Sequence, residues 1–469
     1  MTPAPYGRTH SPRDAGHPPR YTAPVNGDAD RRSKAIGWLL VLVSAAACAL
    51  FARHALVVGS FPGRWVYPYV SLLRWDALLA SLAAGAAAAL LLAGALRVAG
   101  RSLTAASLLL LGGGTALQLL LWRLSPFALG AIVRSDAATS YFSAALRYDT
   151  ATLLRGYEAI APRLPLHAQG NMPGKYLIFR AMHVFTSSPE AMAVAILLLA
   201  NLVGVLVLLV ALEVLEDREA AVGAMALYVL LPPRLVFAPI LNGVAPLPVM
   251  LALWLWIRYL RGRSQGLAIA AGLALLMGLL LDPTPFGLGL VFLAVAVADR
   301  AAGRTGTARI ATGSVVAAVT VVAGALLLQI TTGFDTFRQL GRVTAEAARF
   351  NEWAGRPYAT WVVANLAEFF LTLGAPVVVA VGWGLALRRS LRDPATWMGA
   401  VGLASVVAVD LLGRNRGEVT RLWIFLAVPF AISAAGFLRG AGRAPMFLAA
   451  AALVVQGGIM LSVLGFVIP

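Results

Sequence analysis

The chain has 469 residues, of which 59% are apolar and 13% charged, with a mean hydropathy of +0.79 and a formal net charge of +17. Ordinary soluble domains carry about twice that share of charge, so a soluble globular fold is excluded. The excess arginines are dispersed between apolar runs instead of gathered on one domain, which argues against a nucleic-acid partner. Only two lysines occur, Lys34 and Lys175, amid abundant Ala, Gly, Val and Arg, the usage of a GC-rich genome such as an actinobacterium's. The lone cysteine, Cys48, excludes disulfides and cysteine-rich metal sites.

In chain order, residues 1–34 are rich in Pro, Arg, Asp and Gly and are expected to form a disordered tail. The apolar run behind them is no cleaved signal, because a long polar stretch precedes it. A membrane-spanning helix needs roughly 20 apolar residues. Thirteen such spans are expected, near 35–52, 75–96, 103–122, 190–212, 220–237, 246–260, 266–281, 284–298, 308–330, 361–386, 395–411, 420–437 and 445–467. The expected fold is an all-α integral membrane protein.

Arginine in short loops sets orientation. Arg31, Arg32 and Lys34 in the tail share a side with Arg97 and Arg101; with Arg258, Arg261 and Arg263; with Arg300, Arg304 and Arg309; with Arg388, Arg389 and Arg392; and with Arg439 and Arg443. That side is read as cytoplasmic, which places Pro469 outside. The loop at 213–219 is the exception, being mostly acidic around Arg218. Two long loops, 123–189 and 331–360, then face outward. Each carries an amphipathic pattern of the kind that lies in the membrane interface: Leu146, Thr150, Leu153 and Tyr157 in the first, Phe337, Leu340, Val343, Ala347 and Phe350 in the second.

Three polar constellations fall on the outer side. Arg134-Ser135-Asp136, followed by Tyr141, offers a carboxylate suited either to capping a helix or to acting as general base. His167-Ala-Gln-Gly-Asn171-Met-Pro173-Gly174-Lys175 forms a Pro-Gly turn bearing the only lysine outside the tail. Such a compact charge suits a phosphate, or snorkels to headgroups. Arg414-Asn415-Arg416-Gly417-Glu418-Val-Thr-Arg421 places Glu418 and Arg421 three residues apart, on one helical face. Weaker signals at outer span ends are Arg234, Asn242, Asp282, Asp410 and Arg356-Pro-Tyr358 with Trp361, Asn365 and Glu368. His54, His167 and His183 lack metal-ligand spacing, so no metal site is expected. No Walker motif is found.

With Asp136 opening the first long outer loop, an amphipathic segment at 139–160, the Asn171-Met-Pro-Gly-Lys175 turn and Glu418-Val-Thr-Arg421 with Pro429, the stretch 103–437 resembles the GT-C superfamily of polyprenyl-phosphate-sugar-dependent glycosyltransferases. That superfamily includes protein O-mannosyltransferases, lipid A aminoarabinose transferases and mycobacterial cell-wall mannosyl- and arabinosyltransferases. The chain departs from the pattern in two ways. Asp136 is followed by Ala137 where a second acidic residue is usual, and residues 35–102 add two spans ahead of the loop, which makes Asp76 a rival base.

The resemblance implies a GT-C-like domain over 103–469 in the plasma membrane, with its active site on the periplasmic or extracellular side. It implies a metal-independent, inverting transfer from a polyprenyl-phosphate sugar to a hydroxyl of a cell-wall polysaccharide, glycolipid or protein, with no cofactor and with membrane lipids around it. Asp136 would be the base, and Asp136→Asn would abolish most turnover. Lys175, Arg421, Arg414, Arg416 and Arg234 would bind the donor phosphate. Tyr141, His167, Asn171, Asn242, Asp282, Tyr358 and Glu418 would line the cavity or hold the acceptor. The alternative class is a polytopic transporter or lipid-linked-sugar flippase.

Overall fold

The computed structural model describes residues 26–58, 67–262, 264–387 and 390–467. Arg263, Arg388 and Arg389, used above to set orientation, and Pro469, expected outside, lie beyond the described residues, as do residues 1–25. Among those described, the regular structure is all helical, apart from one antiparallel β-bridge between Tyr69 and Leu464. It is a multi-pass membrane protein. Among the described residues, ten helices are long and apolar enough to cross a bilayer: Ser33–Ala52, Trp75–Ala99, Leu103–Trp122, Pro189–Leu215, Leu241–Leu260, Thr284–Ala301, Thr307–Thr332, Pro394–Leu411, Ile424–Ala441 and Arg443–Val463.

The remaining three expected spans are not simple crossings. Gly266–Leu281 is apolar but only 16 residues long. The 220–237 stretch divides into Arg218–Val229 and Pro232–Val236, because a residue before proline is driven out of the α region; Leu231 is extended at φ −57°, ψ 140°. The 361–386 stretch becomes Tyr358–Leu373 and Ala375–Leu387, bent by 104° at the break. Gly374 sits there at φ +109°, and the freed Ala375 N–H donates to Gln456 Oε1 at 2.9 Å. The first helix begins at Asn26, so residues 26–34 are helical instead of disordered.

Burial separates core helices from lipid-facing ones. In Ile424–Ala441, 78% of the apolar window is buried, against 17% in Thr307–Thr332. Small residues permit close contact where lipid supplies no hydrophobic drive: a Cβ on Gly85 would lie 2.9 Å from Ala451 O across the interface with Arg443–Val463.

At one end of the bundle the acidic 213–219 loop finds its physical explanation. Arg261 pairs with Glu213 at 2.9 Å and Asp299 at 3.0 Å. Arg304 pairs with Glu216 at 2.8 Å, and Arg439 and Arg443 with Glu219 at 3.0 and 2.5 Å. The one acidic loop is the shared counter-ion of arginines from three others.

The two long loops lie over the opposite end. The expected 139–160 helix is broken into Ala144–Arg147, Thr150–Arg155 and Tyr157–Ile160. Asp149 starts a new helix by accepting from Thr152 N–H, and Gly156 interrupts it. Leu153 and Tyr157 are buried while Leu146 is exposed, so that predicted face is not continuous. The second loop does form one amphipathic helix, Thr336–Trp353.

Candidate functional site

Between these loops and the helix ends lies a cleft of two connected chambers. The inner holds about 450 Å³ and the outer about 360 Å³. His167, Asn171, Arg414, Asn415 and Arg421 line both.

The inner wall is built by the Pro173-Gly174 turn. A side chain on Gly174 would strike Leu280 O and Leu281 Cα, at 2.5 and 2.7 Å. Glycine is therefore what lets the helix Gly174–Phe185 dock onto the end of Gly266–Leu281. That docking sets the next residue of each partner against the other. Lys175 Nζ donates to Asp282 Oδ2 at 2.6 Å, with side-chain exposures of 4% and 6%. Lys175 also donates to Asn171 Oδ1 at 3.1 Å, and Asp282 Oδ1 accepts from Thr284 N–H at 2.9 Å. Burial by itself would raise the Asp282 pKa; Lys175 and Thr284 outweigh it and hold the carboxyl below its ordinary value. Asp282 is thus a carboxylate at neutral pH.

His167 closes this wall. Its Nε2 lies 3.0 Å from Ala137 O, and its carbonyl accepts from Tyr141 Oη and Asn171 Nδ2 at 3.0 and 2.6 Å. Burial first, and then the Arg421 charge, push its pKa down to about 4. The imidazole is neutral and donates through Nε2. Burial also raises the Tyr141 phenol well above its ordinary value, so it stays protonated.

The opposite wall is the 413–421 turn. It needs left-handed backbone at Gly413 (φ +62°), Gly417 (φ +88°) and Glu418 (φ +58°). The bent helix Tyr358–Leu373 supplies the anchors. Asn365 Nδ2 donates to Asp410 Oδ1 and Asn415 O, both at 2.9 Å, and its Oδ1 accepts from Gly417 N–H at 2.8 Å. Glu368 Oε1 accepts from the Thr420 N–H and hydroxyl at 2.9 and 2.7 Å. Glu418 pairs with Arg421 within its own turn, and with Arg356 at 3.1 Å. Burial would raise the Glu418 pKa, and the two guanidiniums hold it down instead.

Most of the expected site residues meet here. Tyr141, His167, Asn171, Lys175, Asn242, Asp282, Arg414 and Arg421 line the inner chamber; Arg416 and Glu418 line the outer. Four do not line either chamber. Asp136 is exposed and accepts from Ser143 Oγ, because the loop turns through left-handed Ser140 (φ 65°) and presents Ala138 and Thr139 to the cavity instead. Asp76 is exposed and paired with Arg74 at 2.5 Å. Arg234 is 2% exposed and donates to Asn201 Oδ1 at 2.9 Å, beneath the Leu241–Gly243 turn. Tyr358 Oη donates to Leu411 O at 2.8 Å, with its ring under Arg416.

Arg356, noted from sequence only as a weaker signal, is the second cation on Glu418. Sequence reasoning missed the pair Glu346–Arg349 (2.6 Å), which stands at the outer rim. Its i, i+3 spacing on a marked amphipathic helix was the available signal.

No protein-family model matches the chain, and no curated protein shows significant similarity to it.

Proposed function

We propose that the chain is a membrane glycosyltransferase that moves a sugar from a polyprenyl-phosphate donor to an acceptor hydroxyl in this cleft. The observation that carries the reading is the inner chamber itself. It has the size of a small-molecule site, about 300–1,000 Å³, gathers Lys175, Arg414 and Arg421, and reaches the ends of two helices with exposed apolar faces. Two lining residues adjoin apolar stripes that face outward: Phe286, 39% exposed, leads to Leu290, Leu293 and Val297, and Leu412, 70% exposed, adjoins the stripe of Leu411, Val407 and Leu403. A headgroup held by cations with its chain lying along these stripes is the ligand that such a junction accommodates. By the positive-inside rule the ion-paired arginine end is cytoplasmic, so the cleft opens on the other side, away from nucleotide sugars.

Asp282, the carboxylate of the inner chamber, takes the acceptor's proton as its oxygen bonds to the anomeric carbon. The bond from that carbon to the phosphate oxygen breaks, and its electron pair leaves with the polyprenyl phosphate. In the resting state Asp282 neutralises Lys175. Once Asp282 is protonated, the Lys175 charge is unmasked just as the leaving phosphate gains its negative charge. That interaction is stronger in the transition state than in the ground state, as catalysis requires. Arg421, held in place by Glu418, acts on the same phosphate. Inversion at the anomeric carbon is an expectation of the GT-C resemblance.

The test is incubation of the purified chain in nanodiscs with radiolabelled polyprenyl-phosphate mannose, arabinose and other sugars. Release of polyprenyl phosphate with transfer of label supports the enzyme. Intact passage of the donor across a vesicle, without cleavage, would replace this reading by the transporter.

A further inference from the structure

The outer chamber carries more positive charge than the donor can use. Across both chambers the lining cations are Lys175, Arg349, Arg356, Arg414, Arg416 and Arg421, and the carboxylates are Asp282, Glu346 and Glu418. With His167 neutral, six cations face three anions, an excess of three. A sugar phosphodiester brings one negative charge. Two positive charges then remain, one on the residues that line only the outer chamber and one at the border the two chambers share. Arg349, Arg356 and Arg416 line only the outer chamber, and the Arg416 guanidinium donates to backbone carbonyls of Gly413 and Arg356. Arg414, which borders both chambers, has no hydrogen-bond or ion-pair partner for its side chain among the described residues.

Beside these cations stand Phe350 and Trp353, the latter 77% exposed, and the amides of Gln169, Asn351 and Asn415. Guanidinium forks match carboxylate and phosphate oxygens bidentately. Exposed aromatic faces and amides suit a polyhydroxylated ring. We infer that the outer chamber receives an anionic acceptor, a saccharide bearing carboxylate or phosphate groups, whose charge completes the compensation that the donor leaves unfinished. This rests on the transferase reading, since it names the partner of that same site.

Binding without donor tests it separately. The full chain, in nanodiscs of zwitterionic lipid, is titrated with a galacturonic acid trisaccharide, the neutral galactose trisaccharide and its 6-phosphorylated form. The anionic sugars are expected to bind about tenfold or more tightly than the neutral one, the worth of a single charge-assisted pair, and the preference shrinks with salt. Whichever anion binds better identifies the acidic group. Arg349→Gln, at an exposed rim position, weakens the anionic sugars several-fold and leaves the neutral one unchanged. Glu346→Gln, which raises the excess by one, tightens them. This opposite sign separates charge recognition from a folding defect.

Equal affinity for neutral and anionic sugars, no binding by any at millimolar concentration, or no response to either variant overturns the inference. So does loss of the preference when anionic phosphatidylglycerol is added at constant ionic strength, since the cations would then serve lipid headgroups. Charge-blind binding alongside polyprenyl phosphate release sinks only the acceptor class. Selective binding without release sinks the transferase and leaves an anionic-saccharide site.

Discussion

Replacing Lys175 by methionine strands Asp282 at 6% side-chain exposure, with Thr284 N–H as its remaining partner. Removing one member of a buried ion pair costs about 3–5 kcal/mol, because the other charge is left uncompensated. Asp282→Asn keeps an acceptor for Thr284 and leaves Lys175 with Asn171, so its cost falls near the lower end of that range. In the double variant no charge is stranded, and about 1–2 kcal/mol for the lost hydrogen bonds remains. The expected coupling energy is therefore about 3 kcal/mol or more, well outside the additivity error of about 0.5 kcal/mol. The assay is reversible detergent-induced unfolding followed by tryptophan fluorescence.

The pH dependence gives a second handle on the same variant. Without Lys175, burial raises the Asp282 pKa, so the Lys175→Met deficit shrinks as pH falls and the carboxyl takes a proton. In the wild type the Asp282 pKa is lowered. The pair's contribution is then complete above the ordinary aspartate pKa of about 3.9 and is lost only on acidification below it. Additive single-variant costs would refute the reasoning, and so would a deficit that does not change between neutral and mildly acidic pH.

Further expectations concern the site. Asp282→Asn should lower turnover by about 10²–10⁴-fold, the usual contribution of a positioned base, with donor binding retained, whereas Asp136→Asn should stay near wild type; the reverse ranking would restore Asp136 as the base. Gly289 lies on the outward Phe286–Val297 stripe, and a Cβ there has no atom within 4 Å. Gly289→Trp should therefore fold normally yet slow a long-chain donor about tenfold relative to a short-chain one, about 1.4 kcal/mol; equal slowing of both would place the chain elsewhere. His167 has its pKa lowered from 6.5 to about 4. Between those values the unfolded chain binds more protons than the folded one, so stability falls with pH, by at most about 2 kcal/mol from pH 7 to 5. His167→Gln should remove that part of the slope, and an unchanged slope would assign it to other groups.

Local chemistry made much of the molecule legible in advance. Hydropathy alone located the ten helices that, among the described residues, are long and apolar enough to cross a bilayer, because a crossing demands about twenty apolar residues; the three other expected spans are short or broken. The period of 3.6 residues disclosed Thr336–Trp353, and rarity disclosed Lys175. Other features depended on distance along the chain. Nothing near Asp282 in sequence says that its partner lies 107 residues away; that pairing follows from Gly174 admitting one helix to the end of another. Asp136 and Asp282 look alike as acidic residues at span ends, and only the loop's left-handed turn at Ser140 points one to solvent while helix docking closes the other over the cavity. The acidic 213–219 loop looked anomalous by charge alone and became a counter-ion hub once arginines from three other loops converged on it. Sequence by itself determined which segments are long and apolar enough to cross a membrane, because that is settled by transfer free energy summed over neighbouring residues. Tertiary structure decided which charges face each other, because electrostatic pairing depends on separation in space, which hydropathy and periodicity do not encode.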